Sequence, residues 1–519
     1  MTAARGSDAL ASLVDALAAQ FAARGDNIER FETHISTVLL AGDYAYKFKK
    51  PVDFGFLDYT TLDRRRHYCE LELALNARHA PGLYLDVLPV TAGPTLGGTG
   101  PVIEWTLRMR RFATDQRLDV ALEDGRVDAA DVAAIARALA ETHAHAAGAP
   151  AAGRHGTPPL VRSQLLAGLE VLASFVPDLP AFLRELEAAF AAKVAAFEDR
   201  LQAGHVRDCH GDLHLSNLVR YEGRWQAFDC IEFDDELRYI DTASDLAFPL
   251  MDFDVRGHET LANALLNDYL ASGGDYGLFA VLDYYLLYRS VVRAKVACLS
   301  SDGSGDAADR AARTRAARHL ALARRYLAPR GAPALYLTHG VSGSGKSWLA
   351  RRLASARGFV HLRSDVERKR RAGLAATAAS HSALDADLYD RAHTDATYER
   401  LLQLAEQLLG HACSVIVDAS FLAAARRAPF AALARRLGVD FVILDCAAPR
   451  ATLEARIAAR QAAGTDASEA TLAVLARQID AREPLSAQER RHVIAADDID
   501  DARLETLPGA GRLARSAAR

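Results

Sequence analysis

Methionine and tryptophan occur only three times each in the 519-residue chain, and its six cysteines stand singly, with no C-x-x-C pair. The isolation of Cys69, Cys209, Cys230, Cys298, Cys413 and Cys446 argues against a disulfide framework or a structural zinc site and fits a reducing compartment. No apolar run reaches the roughly 20 residues that cross a bilayer. The stretch from Met1 to Ala23 is broken by Asp8 and Asp15, so it lacks the apolar centre of a signal peptide. A cytoplasmic protein without a membrane partner is expected. A strong charge of one sign is also missing, since the net charge is −5. That excludes the dense basic footprint of a general nucleic-acid binder.

What the chain has is length and an uneven charge. At 519 residues it exceeds one hydrophobic core, which predicts two or three domains. Lys and Arg outnumber Asp and Glu by 26 to 22 over 331–519 and are outnumbered by 45 to 36 over 1–330, supporting a division near 330. Ala328-Pro329-Arg330-Gly331-Ala332-Pro333 reads as the linker. The expected domains are therefore 1–328 and 334–507, with a tail that frays after Pro508.

Ser36–Leu40 and Tyr44–Lys49 read as a hairpin turning at Ala41-Gly42-Asp43. A helix from Asp63 to His79 and a strand from Val102 to Phe112 follow. Helical patterns fill 128–147, 162–201 and 307–327. Beyond 334, strand runs at Leu335–Thr338, Phe359–Leu362, Ser414–Val417 and Asp440–Leu444 alternate with helices, the mark of a parallel α/β sheet.

Two segments carry phosphate chemistry. The first is His210-Gly211-Asp212-Leu213-His214-Leu215-Ser216-Asn217, followed by Phe228-Asp229-Cys230. In a kinase-like mechanism Asp212 accepts the proton of the attacking hydroxyl, while Asn217 and Asp229 hold metal. A lysine on an early strand, paired to a glutamate on the next helix, steadies the phosphates. Lys47 and Glu72 are the preferred pair, although alternation puts Lys49 on the same strand face and Glu70 lies close by. No G-x-G-x-x-G precedes Lys47, so Glu32–Thr37 is left to cover the phosphates. His205, His210 and His214 superficially suggest a metal cluster, but the kinase-like context assigns His210 to loop architecture and argues against zinc. Arg64–Arg66 and Arg110–Arg111 read as solvated or structural.

The second segment is Gly340-Val341-Ser342-Gly343-Ser344-Gly345-Lys346-Ser347, set between a strand and a helix. Backbone N–H groups from Gly340, Ser342, Gly343, Ser344 and Gly345 wrap phosphate there, Lys346 reaches the β/γ-phosphates, and Ser347 ligates Mg²⁺. Asp418 ends the apolar strand Val415-Ile416-Val417 and is a second metal ligand, with a structural strand-end Asp as the alternative. Arg456 and Arg460 share one helix face. Gly464–Glu469 follows as the return of a lid, with Asp466 or Ser468 as N-cap. Arg363 and Lys369–Arg371 are expected to form a solvated basic helix end.

The His-Gly-Asp form of the first segment, with Asp241-Thr242-Ala243-Ser244-Asp245 beyond it, resembles the aminoglycoside phosphotransferase and choline-kinase branch of the kinase-like superfamily. This resemblance covers roughly residues 30–325. It implies an α+β protein-kinase-like domain in which Asp245 braces the catalytic loop. The second segment resembles P-loop kinases of the zeta-toxin, gluconate-kinase and polynucleotide-kinase type, over roughly 334–500. That implies an α/β P-loop NTPase domain with a parallel sheet. Asp365 is then the general base, Arg368 its partner, and Arg456 and Arg460 are lid arginines that neutralise the transferring phosphate. The order of the whole chain resembles bacterial fusions of an aminoglycoside phosphotransferase-like domain with an ATP-binding protein. The expectation is a kinase with two sites, dependent on ATP and Mg²⁺, acting on small-molecule hydroxyl groups. The alternatives are a nucleotide sensor with a non-catalytic kinase-like domain, and a P-loop half that phosphorylates the 5′-hydroxyl of a nucleic-acid end.

Overall fold

Alternation along β3 (Tyr44–Lys49) decides the first half of the fold: Tyr46 and Phe48 turn to one sheet face, and Ala45, Lys47 and Lys49 to the other. The computed structural model describes residues 2–55, 57–301, 303–375, 378, 391–463 and 470–513. Contacts divide the chain into two units, one of Met1–Ala138, His145–Val161 and Phe197–Pro249, the other of Leu139–Ala144, Arg162–Ala196 and Leu250–Arg519.

In the first unit β3 belongs to an antiparallel sheet ordered β1-β2-β3-β6-β4-β5, with β1 Ile28–Glu32, β2 Ser36–Ala41, β4 Tyr84–Thr91, β5 Thr95–Leu96 and β6 Val102–Arg110. α1 (Thr2–Ala23) covers one face. Its Leu10, Val14, Leu17 and Phe21 recur at helical spacing and pack on Leu39, Tyr46, Phe48 and Val90. Each such side chain contributes about 1.5–3 kcal/mol on burial. α2 (Leu62–His79), capped by the Thr61 hydroxyl, lays Cys69 on the opposite face against Ala45, Tyr84 and Leu107. The chain then runs through α3 (Leu118–Glu123), α4 (Ala129–His145), α5 (Pro158–Leu166), α6 (Leu179–Ala191) and α7 (Val194–Gln202), of which α6 and most of α5 belong to the second unit. The ribbon of β7 (Val206–Asp208) with β10 (Tyr239–Asp241) and the hairpin of β8 (Leu218–Tyr221) with β9 (Arg224–Ala227) bracket the loop at 210–217. α8 (Thr242–Val255) follows at once.

The second unit holds α9 (Glu259–Gly273), α10 (Leu282–Leu299) and α11 (Ala307–Leu327), and then a parallel sheet. The sheet order is β12-β13-β11-β14-β15, with β11 Ala334–His339, β12 Val360–Arg363, β13 Val415–Asp418, β14 Asp440–Asp445 and β15 Val493–Ala495. Its helices are α12 (Lys346–Arg357), α13 (Ser364–Arg371), α14 (Arg391–Gly410), α15 (Ala424–Leu437), α16 (Arg450–Ala463), α17 (Leu472–Asp480) and α18 (Asp501–Thr506). Ala334, Tyr336, Leu349, Leu353, Phe359 and Leu444 form the core between sheet and α12.

The structure differs from the sequence expectations in three places. By contacts, residues 250–327, assigned by sequence to the first segment, group with the C-terminal unit, α9 lying against α12 and β12. The tail over residues 509–513 is held rather than frayed: Ala510 N–H donates to Ala332 O (2.9 Å), and Arg512 makes two hydrogen bonds to buried Asp254 (2.7 and 2.6 Å). The basic end of α13 is not a solvated face, because Lys369 is buried. Arg370 pairs with Glu367 and donates to the carbonyls of Leu270 and Ala271. Thr471 caps α17; the expected lid return at Gly464–Glu469, with Asp466 or Ser468 as N-cap, lies outside the described residues. All six cysteines are buried free thiols, and no helix among the described residues is long and apolar enough to cross a membrane.

Candidate functional site

Lys47, brought to the α2 face by strand alternation, donates to Glu72 Oε1 (2.7 Å) and to Asp229 Oδ1 (2.5 Å). Lys49 takes the other Glu72 oxygen (2.7 Å), but its remaining partners are Glu232 and Tyr59 in the buried interior. Of the two lysines only Lys47, the one preferred from sequence, reaches Asp229. Glu70 turns outward to Arg66. Burial would raise the Glu72 carboxyl, but the two ammonium groups outweigh it and hold the pKa at about 2.

Asp229 follows β9 in the left-handed region (φ 63°), a conformation that Asp tolerates better than most residues. The Tyr84 hydroxyl accepts from its N–H at 3.0 Å. Across the hairpin, the Asn217 amide donates to Asp212 O (2.9 Å) and approaches Asp212 Oδ2 (3.4 Å). His214 Nε2 lies 3.4 Å from the same carboxylate, while its Nδ1 meets Ser216 Oγ at 2.9 Å. The backbone N–H groups of His210 and Gly211 donate to the two oxygens of Asp245 (3.2 and 2.9 Å). Gly211 is required here: φ is +86°, and a Cβ would stand 2.7 Å from Leu237 O. His210 Nε2 donates to Phe228 O (2.9 Å) and its Nδ1 accepts from Asp212 N–H (3.3 Å). Burial pushes its pKa down, so it is a neutral brace whose two nitrogens are both engaged. At the segment left to cover phosphate, β1 and β2 form a hairpin whose turn is tied by Thr33 Oγ1, which accepts from Ser36 N–H (2.9 Å). Arg65 is structural, its guanidinium bound to Glu104.

In the second unit the loop 340–347 joins β11 to α12. Gly340 and Gly343 sit at φ 140° and 83°, where a Cβ would meet Cys446 O at 2.3 Å and Leu453 O at 2.8 Å. Gly345, also at positive φ, opens α12. Lys346 folds back onto Val341 O (2.7 Å), and Ser342 N–H donates to Gln478 Oε1 (2.7 Å). Burial pushes the Lys346 pKa down, against the pull of Asp418 and Asp365. Asp418 also escapes the effect of its burial. His361 above all, with Arg363 and Ser347, holds its carboxyl well below the usual carboxylate range. Asp365 receives Arg368 Nη1 at 2.9 Å. On α16, Arg456 donates to Gly343 O (3.2 Å). Arg460 Nε and Nη2 and Ser344 Oγ are buried without a hydrogen-bond partner among the described residues. A buried cation without an anion is costly, and an oxyanion is the group that would satisfy it. Ser347 and Asp418 offer the hard oxygens that magnesium prefers.

Sequence reasoning missed Glu232 and Tyr59 behind Lys49, His214 beside Asp212, His361 and Thr338 on Asp418, and Gln478 on the phosphate loop. Glu232 lies close to Asp229 in sequence, so its partnership with Lys49 had a local hint. Gln478 had none.

A family model described as Phosphotransferase enzyme family matches residues 96–282, and one described as AAA domain matches 335–485. The chain is 33% identical over 461 residues to "Uncharacterized protein Rv2004c" of Mycobacterium tuberculosis (strain ATCC 25618 / H37Rv), covering 86% of this chain and 90% of that protein. "Uncharacterized protein Mb2027c" of Mycobacterium bovis matches to the same extent. Among solved structures, a choline/ethanolamine kinase family protein from Mesorhizobium loti aligns with 58% of this chain and 91% of its own, at 17% identity and a TM-score of 0.38. A gluconokinase from Sinorhizobium meliloti 1021 aligns with 32% of this chain and 83% of its own, at 20% identity and a TM-score of 0.22. The chain belongs to the family of these mycobacterial proteins, and it joins a phosphotransferase-family segment to an AAA-domain segment.

Proposed function

We propose that the protein is a kinase with two magnesium–ATP sites, each transferring the γ-phosphoryl group to a hydroxyl of a small molecule. The observation that carries this reading is the meeting of Lys47 with Glu72 and, 182 residues further on, Asp229, beside the Asp212–Asn217 loop. Magnesium–ATP, when bound, supplies the electrophilic phosphoryl group. In the first site Asn217 and Asp229 would hold the metal, and Lys47, fixed by Glu72, would steady the phosphates. Asp212 takes the proton of the acceptor hydroxyl, and His214 together with the Asn217 amide orients that carboxylate. In the second site the loop 340–347 and Lys346 bind phosphate, while Ser347 and Asp418 would hold the metal. Asp365 takes the acceptor proton with Arg368 against it, and Arg456 and Arg460 neutralise the phosphoryl oxygens.

The test is transfer from γ-labelled ATP to a panel of small alcohols, sugars and amino alcohols. Asp212→Ala is expected to lower first-site transfer by about 10²–10³-fold and leave second-site transfer intact, and Lys346→Ala to do the reverse. Labelling that neither substitution reduces would sink the reading. Preferential labelling of 5′-hydroxyl oligonucleotides, lost with Asp365→Ala, would replace the small-molecule acceptor of the second site by a nucleic-acid end.

A further inference from the structure

Among the described residues β12 is the edge strand of the parallel sheet, with β13 on one side only. An open edge leaves backbone donors and acceptors to be satisfied by something else. Part of this edge is closed by one side chain of α9. Asn267 Nδ2 donates to Phe359 O (3.0 Å), and Asn267 Oδ1 accepts from His361 N–H (2.8 Å). A carboxamide carries the same donor and acceptor as a peptide group, so Asn267 pairs with the edge as a neighbouring strand would. One turn earlier, Asn263 donates to Ser355 O in α12 (2.8 Å) and accepts from Arg512 Nε (3.1 Å), which keeps α9 in place along this edge.

The residue whose backbone Asn267 holds is the one whose side chain holds Asp418. His361 is 8% exposed, and its Nε2 lies 3.1 Å from Asp418 Oδ2. Thr338 Oγ1 approaches the other oxygen at 3.3 Å. Both carboxylate oxygens are thus oriented by neighbouring side chains. Outer partners of this kind typically change metal affinity by about 10–100-fold when removed. Asn267 lies in the segment matched by the phosphotransferase model, whereas His361 and Asp418 lie in the AAA segment.

We propose that Asn267 and His361 are positioning residues for the second site: α9 fixes the backbone of His361, and His361 fixes the Asp418 carboxylate in the orientation that receives magnesium. The proposal rests on the reading of loop 340–347 as a magnesium–nucleotide site. It makes the metal-holding part of that site depend on a side chain 94 residues earlier than His361, outside the AAA segment.

The experiment uses the full chain carrying Asp229→Ala, so that the first site lacks its metal carboxylate. ADP binding is measured by calorimetry across a magnesium series and again in EDTA. Asn267→Leu and His361→Phe are expected to raise the magnesium concentration for half-maximal enhancement of ADP binding by about tenfold. Binding in EDTA should stay within about twofold, because the phosphate loop itself is untouched. His361→Gln, which returns a donor near the position of Nε2, is expected to restore most of the magnesium response. Asn267→Asp keeps the acceptor for His361 N–H and should fall between the parent and Asn267→Leu. An unchanged magnesium response in His361→Phe overturns the proposal. Equal weakening with and without magnesium also overturns it, since that is loss of packing alone. If the parent shows no ADP binding that Lys346→Ala removes, the phosphate-loop reading fails first, and the proposal falls with it before any change at 267 or 361.

Discussion

Glu72 accepts hydrogen bonds from two lysines while fully buried, so its ionisation is tied to the stability of the first unit. Its folded pKa of about 2 lies below the ordinary 4.5. The stabilisation is therefore complete above the unfolded value and is lost as pH falls from about 4.5 through about 2. Denaturant titrations between pH 7 and 2.5 should show that loss. Glu72→Gln should flatten it and lower stability at neutral pH by about 1–3 kcal/mol, because Lys47 and buried Lys49 lose their shared anion while keeping Asp229 and Glu232. At this scale the sequence was informative wherever chemistry demands residue types at fixed spacing, as with Asp212, Asn217 and Asp229. It was silent where a partner arrives through tertiary closure. Nothing around Gln478 marks it as the acceptor for Ser342 N–H, and only the structure shows that Lys47 rather than Lys49 reaches Asp229.

The strands Tyr44–Lys49 and Val415–Asp418 and the helix Ala307–Leu327 were legible because their apolar patterns match their periods. β1 has two apolar residues in five and is mostly exposed, β4 carries Pro89, and β15 is three residues long, so none gives a clear periodic signal. The C-terminal tail is the opposite case. Its Gly- and Arg-rich composition suggests fraying, yet Arg512 meets Asp254 where both side chains are buried, with Tyr326 donating to the same carboxylate (2.6 Å). Arg512→Met should cost about 3–5 kcal/mol by leaving Asp254 unpaired, and Asp254→Asn in the same chain should recover part of that loss. Thermal melts of the two variants check both signs. In the phosphate loop, Gly343→Ala should abolish nucleotide binding at the second site while leaving the first site unchanged. Its positive φ and the Leu453 carbonyl at 2.8 Å leave no room for a methyl group. Equilibrium binding of ADP reads the result directly.

For the whole chain, the linker at 328–333 lies between the two family matches, whereas the division by contacts falls elsewhere. α9 packs on α12 and against β12 of the sheet that follows. Composition cannot show this, because the ties are single polar side chains such as Asn263, Asn267 and Asp254 set among ordinary helical sequence. Two nucleotide sites on one chain is the central claim, and the stoichiometry of nucleotide binding tests it most directly. Titration of ADP with magnesium into the full chain should give two equivalents. One should remain in Lys346→Ala, one in Lys47→Ala/Asp229→Ala, and none when the three substitutions are combined. A single equivalent in the parent, removed entirely by one of these variants, would contradict the account.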